Sequence, residues 1–146
     1  LKALVQRVQS CDVKVGGEMI GSTGHGILVF LGVGKWDTEK EVDYLAGKIT
    51  DLRIFEDQEG RMNLSLKDIG GEAMVVSQFT LMADTSGGNR PGFAKAAPPE
   101  LAEPLYEAFI DRIQSMGVRV QSGRFGAGMK VELVNDGPVT ILLESK

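Results

Sequence analysis

The chain has 146 residues, 42% hydrophobic and 25% charged, which suits one domain with a sizeable core and an ordinary soluble composition. A net charge of −4 argues against a general binder of polyanions, DNA included, while leaving room for a local basic groove. The single cysteine, Cys11, excludes an internal disulfide framework and a cysteine-cluster metal site, and with no leader or membrane-spanning run recognisable the cytoplasm is the expected location.

Ala3 to Val8 and Asp12 to Val15 read as strands, and Gly16-Gly17 turns the chain into a third, Glu18 to Ile20. Cys11 reads as a small buried residue. The period of two puts Ala3, Val5 and Arg7 on one face. Arg7 at the end of an apolar face either snorkels to water or finds an acceptor and takes a positioning role. Gly21 to Gly26 is a loop around the only histidine, His25, which has no partner at a spacing that signals catalysis and reads as a turn residue. Ile27 to Val33 is nearly all apolar and is expected to be a central strand.

Thr38-Glu39-Lys40-Glu41 matches a capping box, and Val42, Leu45, Ala46, Ile49 and Leu52 follow at helical spacing, predicting a helix over about 38–52. Arg53 to Glu56 reads as a short strand. The acidic turn Asp57 to Gly60 lacks the pattern of a calcium loop, and no metal or cofactor site is expected anywhere. Glu72 to Leu81 reads as one strand, with Met74, Val76, Gln78 and Thr80 on one face and Val75, Ser77, Phe79 and Leu81 on the other. It begins apolar on both faces and turns polar at Gln78 and Thr80, so these residues are either satisfied internally or aimed at a ligand. No base near Thr80 in sequence would make its hydroxyl a nucleophile.

A long loop, Ala83 to about Ala97, precedes a helix over about 101–116, whose apolar stripe is Ala102, Leu105, Tyr106, Phe109, Ile113 and Met116. Pro104 either starts its regular part or kinks its first turns. Val118 to Gln121 is a strand, and Arg124 to Met129 is a glycine-rich connection that lacks the Lys-Ser/Thr of a phosphate-binding loop. Met129, Val131 and Leu133 alternate with Lys130 and Glu132 as a strand, and Val139 to Leu143 is another. Between them Asn135-Asp136-Gly137 tolerates positive φ, so on local grounds the stretch is an ordinary hairpin turn. Pro138 removes a donor just where a strand should begin, which suggests instead a turn that displays backbone groups as a recognition edge.

Taken together, Ser77-Gln78-Phe79-Thr80-Leu81 and Asn135-Asp136-Gly137-Pro138-Val139-Thr140 closely resemble the D-aminoacyl-tRNA deacylase family. Gln6-Arg7-Val8, Arg53-Ile54-Phe55-Glu56 and Gly123-Arg124-Phe125-Gly126 extend the likeness over essentially the whole chain. The resemblance implies an α+β fold, a single compact domain over 1–146 with β-barrel-like sheets and the two helices flanking them. It implies a homodimer with the sites at the subunit interface, and a cis Gly137-Pro138 bond that reaches into the partner's pocket. There its carbonyls would reject L side chains and admit D-residues and glycine, a steric rejection that tolerates many D-amino acids.

The implied reaction is hydrolysis of the ester that joins a D-amino acid, or mischarged glycine, to the terminal adenosine of tRNA, assisted by the RNA's own 2′-hydroxyl. Ser77, Gln78, Phe79 and Thr80 would line the aminoacyl-adenosine pocket, and Arg7 and Met129 would hold the Gly137-Pro138 motif. Phe125 would contact the adenosine or support that wall. A threonine nucleophile at Thr80 is the competing mechanism. Gly128 departs from the family, which often has an aspartate there, and Thr85 to Asn89 is less basic than usual. Two other functions compete: a non-catalytic module holding a tRNA 3′ end, against which the lack of aromatic stacking platforms counts, and a relative that clears mischarged L-alanine.

Overall fold

The protein, described here by a computed structural model over residues 1–145, is built around its first strand. Strand β1 (Lys2–Val15) runs without a break where the sequence suggests two strands. Strands β2 (Glu18–Thr23) and β3 (Gly26–Gly32) both pair with it antiparallel, Val13 opposite Gly21 and Val5 opposite Val29. Helix α1 (Glu39–Asp51) then crosses over and leads, past the small ribbon of β4 (Phe55–Glu56) and β5 (Met62–Leu64), to β6 (Glu72–Ser77). A parallel neighbour needs such a crossover, and β6 lies parallel to β3 with Val29 opposite Val75. Helix α2 (Pro99–Ser115) makes the second crossover, to β7 (Arg119–Ser122), which is parallel to β6. The last strand, β8 (Lys130–Glu144), covers the free side of β1.

The sheet order is β2-β1-β3-β6-β7, with β8 also on β1. Its two ends curl towards each other, and the Ser22 amide of β2 donates to Gln121 Oε1 of β7 at 2.7 Å. The result is a nearly closed, barrel-like sheet. One apolar cluster fills its interior: Val8, Cys11, Val13, Leu28, Met74 and Val76. A second joins the outer face (Val5, Val29, Leu31, Val75) to α1 through Val42, Leu45 and Ile49, and to α2 through Leu105, Phe109 and Ile113. Alternate residues of β3 and β6 thus face alternate cores, which is why both strands read as apolar on both faces. Pro104 lies inside α2, not at its start.

Two local expectations give way to pairing. The strand expected over Glu72–Leu81 ends at Ser77, and Phe79–Met82 is a 3-10 turn. Its partner β3 stops at Gly32, so the ladder closes with Gln78 N–H donating to Leu31 O at 2.8 Å. The chain then folds over Gly32, where an added Cβ would stand 3.0 Å from both Gln78 O and Leu81 Cβ. The strand alternation of Gln78 and Thr80 is lost with it. Nor is Asn135-Asp136-Gly137 a hairpin turn. Val8 to Lys14 pair with Asn135 to Lys130, and Lys2 to Gln6 pair with Glu144 to Thr140, so both halves of β8 run the same way along β1. The stretch is an irregularity within one strand, matched by register shifts in β1.

Candidate active site

Where β6 ends, a cavity of about 520 Å³ opens beside the sheet. Ser77, Gln78 and Phe79 form one wall, Phe125 and Met129 another, and Ala97 and Ala102 bring in the approach to α2 and its first turn. The walls are tied together at one carbonyl. Val75 O accepts the Gly123 amide at 3.1 Å and the Tyr106 hydroxyl at 2.8 Å. Burial pushes the Tyr106 phenol up to about 12, so it stays a neutral donor. Its ring supports Phe125, centroids 5.8 Å apart. Gly123 gives Met129 its place, because a Cβ there would lie 2.5 Å from the Met129 sulfur.

Thr80 stands on the 3-10 turn, exposed, and is not among the residues lining the cavity. Among the described residues its hydroxyl has one side-chain partner, the Gln78 amide, which donates to it. His25 is elsewhere, edge-on to Phe55 at 5.4 Å between ring centroids. No base therefore attends Thr80. Phe79 and Thr80 open the turn, and its first amides have no carbonyl within it to bond. No side chain caps them among the described residues. Nor does any group of three or more His, Cys, Asp and Glu there stand ready to hold a metal.

Arg7, Gly137 and Pro138 form a separate place that does not line the cavity. The Arg7 guanidinium is buried, 5% exposed, and works mainly on backbone: Nη1 donates to Ile54 O at 2.7 Å and Nε to Asp136 O at 3.0 Å. Carboxylates stand further off, Asp136 at 3.7 Å and Glu56 at 3.8 Å. Asn135 braces the other side, its Oδ1 accepting the Val139 amide at 3.2 Å and its amide donating to Thr140 Oγ1 at 2.9 Å. Between these braces Gly137 has φ +132, and a Cβ on it would press on Val139 Cγ2 at 2.8 Å and Arg7 Nη2 at 3.1 Å. The Gly137-Pro138 peptide is cis, and both residues are exposed.

The structure thus gathers Ser77, Gln78, Phe79, Phe125 and Met129 in one cavity and keeps Arg7 with Gly137-Pro138 at a second place. Sequence reasoning gave Tyr106 only a place on an apolar stripe. The available signal was its hydroxyl, which must find a partner when buried. Aromatic surface is also present where none was expected: Phe79 is 55% exposed, packed edge-on against Phe93, and Trp36 is 79% exposed.

A family model described as D-Tyr-tRNA(Tyr) deacylase matches residues 4–144. A D-aminoacyl-tRNA deacylase of Desulfatibacillum aliphaticivorans is 57% identical over 146 residues, covering 100% of both chains. Another, of Roseiflexus castenholzii, is 59% identical over 145 residues, covering 99% of this chain and 92% of that one. A solved structure described as c-Myc DNA Unwinding Element Binding Protein is 45% identical with a TM-score of 0.95, over 100% of this chain and 99% of that one. A probable eukaryotic D-amino acid tRNA deacylase has the same fold, with a TM-score of 0.84 at 17% identity over 97% of each chain.

Proposed function

Since the chain belongs to the D-Tyr-tRNA(Tyr) deacylase family and is a hydrolase, we propose that its cavity holds the aminoacyl-adenosine end of a D-aminoacyl-tRNA and that water cleaves the ester there. The observation that carries this reading is a cavity lined by Ser77, Gln78 and Phe79 where β6 gives way to the 3-10 turn, with no nucleophile–base pair beside it among the described residues. Such a site works by orientation and by donors set for the charge that develops on the ester oxygen. The amide of Phe79, the residue of the turn that lines the cavity, is such a donor, and the ribose 2′-hydroxyl assists the attacking water. The acyl carbon gains the water oxygen, the ester C–O bond breaks, and the proton passes to the departing ribose oxygen. Free D-amino acid and tRNA leave.

Chirality is read by the other place. The exposed Gly137-Pro138 corner of one subunit enters the cavity of a second copy, so each site is completed across a homodimer. Its carbonyls block an L side chain and leave room for D-residues and for glycine mischarged on alanine tRNA. The braces on both sides of the corner, and the exposed Val134 and Leu142 on β8, fit such a contact. The working location is the cytoplasm, where tRNAs are charged.

Multiple-turnover hydrolysis of D-tyrosyl-, L-tyrosyl- and glycyl-tRNA tests this directly. Wild type is expected to cleave the D and glycyl esters and to spare the L ester. Thr80→Ala is expected to keep activity within roughly tenfold, whereas loss of an oxyanion donor typically costs about 10²–10³ in kcat. A larger loss on Thr80→Ala would restore the threonine nucleophile. The relative described as a DNA-binding protein keeps open a nucleic-acid-holding module. Stoichiometric protection of the aminoacyl ester without turnover would favour that reading.

A further inference from the structure

Beside the cavity a short turn carries the chain's only tryptophan into solvent. The turn is closed from both ends by one residue: Asp37 N–H donates to Gly34 O at 3.2 Å, and Asp37 Oδ2 accepts the Gly34 amide at 2.6 Å. Lys35 and Trp36 are therefore fixed at its tip. Its base is welded to the end of the long loop, Lys35 N–H donating to Lys95 O at 3.1 Å and Ala97 N–H to Val33 O at 2.9 Å. Val33 and Ala97 themselves line the cavity. Three Cα–Cα steps, about 10 Å at full extension, separate Val33 from Trp36. Lys35 Nζ lies 5.7 Å from the centre of the indole ring. At 79% exposure the ring has a face free. Neither Lys35 nor Lys95 belongs to an ion pair among the described residues.

An unstacked base needs a flat apolar surface and its phosphate needs cations; single-stranded nucleic acid is held by that combination. We propose that Trp36, with Lys35 and Lys95, is a binding subsite for the unpaired ribonucleotides that precede the terminal adenosine of the substrate tRNA, a base stacking on the indole and the lysines meeting the phosphates. The inference rests on the deacylase reading for what fills the cavity. The subsite adds affinity for the strand and stands apart from the reacting atoms.

Two substrates separate the subsite from the chemistry: D-tyrosyl-tRNA, and D-tyrosyl-adenosine, which lacks the preceding nucleotides. Trp36→Ala is expected to raise KM for D-tyrosyl-tRNA roughly tenfold at nearly constant kcat, and Trp36→Phe to recover most of it. The penalty should vanish on D-tyrosyl-adenosine. Because Trp36 is the only tryptophan, its fluorescence should also be quenched when a short single-stranded RNA ending in C-C-A is added to wild type. The quench should weaken in Lys35→Ala and as salt rises. Equal losses on both substrates, an unchanged KM for the tRNA, or no quench would overturn the subsite. Cleavage of neither substrate by wild type would overturn the deacylase reading and the subsite with it.

Discussion

Arg7 shows how a charge can be kept inside a sheet by dipoles. Its neighbours on the same strand face, Ala3 and Val5, are buried, and its nearest acceptors are the carbonyls of Ile54 and Asp136. Lysine keeps the charge but lacks the planar fork that serves two acceptors in different directions. Arg7→Lys is therefore expected to leave one buried carbonyl unpaired, costing about 1–3 kcal/mol in urea unfolding. It should also loosen the Gly137-Pro138 corner and lower the ratio of D- to L-tyrosyl-tRNA hydrolysis by at least about tenfold, a 1.4 kcal/mol effect. The strand period made legible that Arg7 shares the face of Ala3 and Val5, with snorkelling to water and finding an acceptor both left open. Which acceptors it uses was not, because they lie 47 and 129 residues away in sequence.

At the scale of the element, α1 is the case where local signals suffice. Thr38 Oγ1 accepts the Lys40 amide at 3.2 Å, and Glu41 Oε2 accepts the Thr38 amide at 2.7 Å, closing the box that the sequence spelled. The Thr38 hydroxyl also holds the Glu41 carboxyl below its usual range. Thr38→Ala should lower stability by about 1 kcal/mol in denaturant titrations and leave deacylation unchanged, since the buried face from Val42 to Ile49 is untouched. The ends of β6 and the middle of β8 were illegible for the opposite reason. A hairpin at Asn135-Asp136-Gly137 satisfies every local rule. It is the availability of β1 on the same side throughout that carries the strand straight on. Likewise the polar residues after Ser77 lie on a turn and not on a strand face, because the parallel partner has ended, and Gln78 and Thr80 bond each other there.

Over the whole molecule, two acids buried in or beside the sheet set an alkaline limit. Burial, reinforced by Asp12, pushes the Cys11 thiol up to about 11 from 9.0, and burial pushes Tyr106 up to about 12 from 10.0. Between the unfolded and folded values the unfolded chain releases protons that the folded one keeps, so stability falls as pH rises. The urea midpoint should hold from pH 7 to about 9 and then decline steadily towards 12, with Cys11→Ala removing the earlier part of the decline. The topology has a temporal consequence as well. The strand at the centre of the sheet comes first, and the one covering its free side comes last. During synthesis the residues between Val15 and Lys130 take on the order of ten seconds to appear, at the usual pace of elongation. For that interval the edge of β1 that β8 will take is open to any other unpaired strand. Until Lys130–Glu144 emerges, that edge of β1 has no strand of its own sheet to pair with, and pairing with β8 is what closes it.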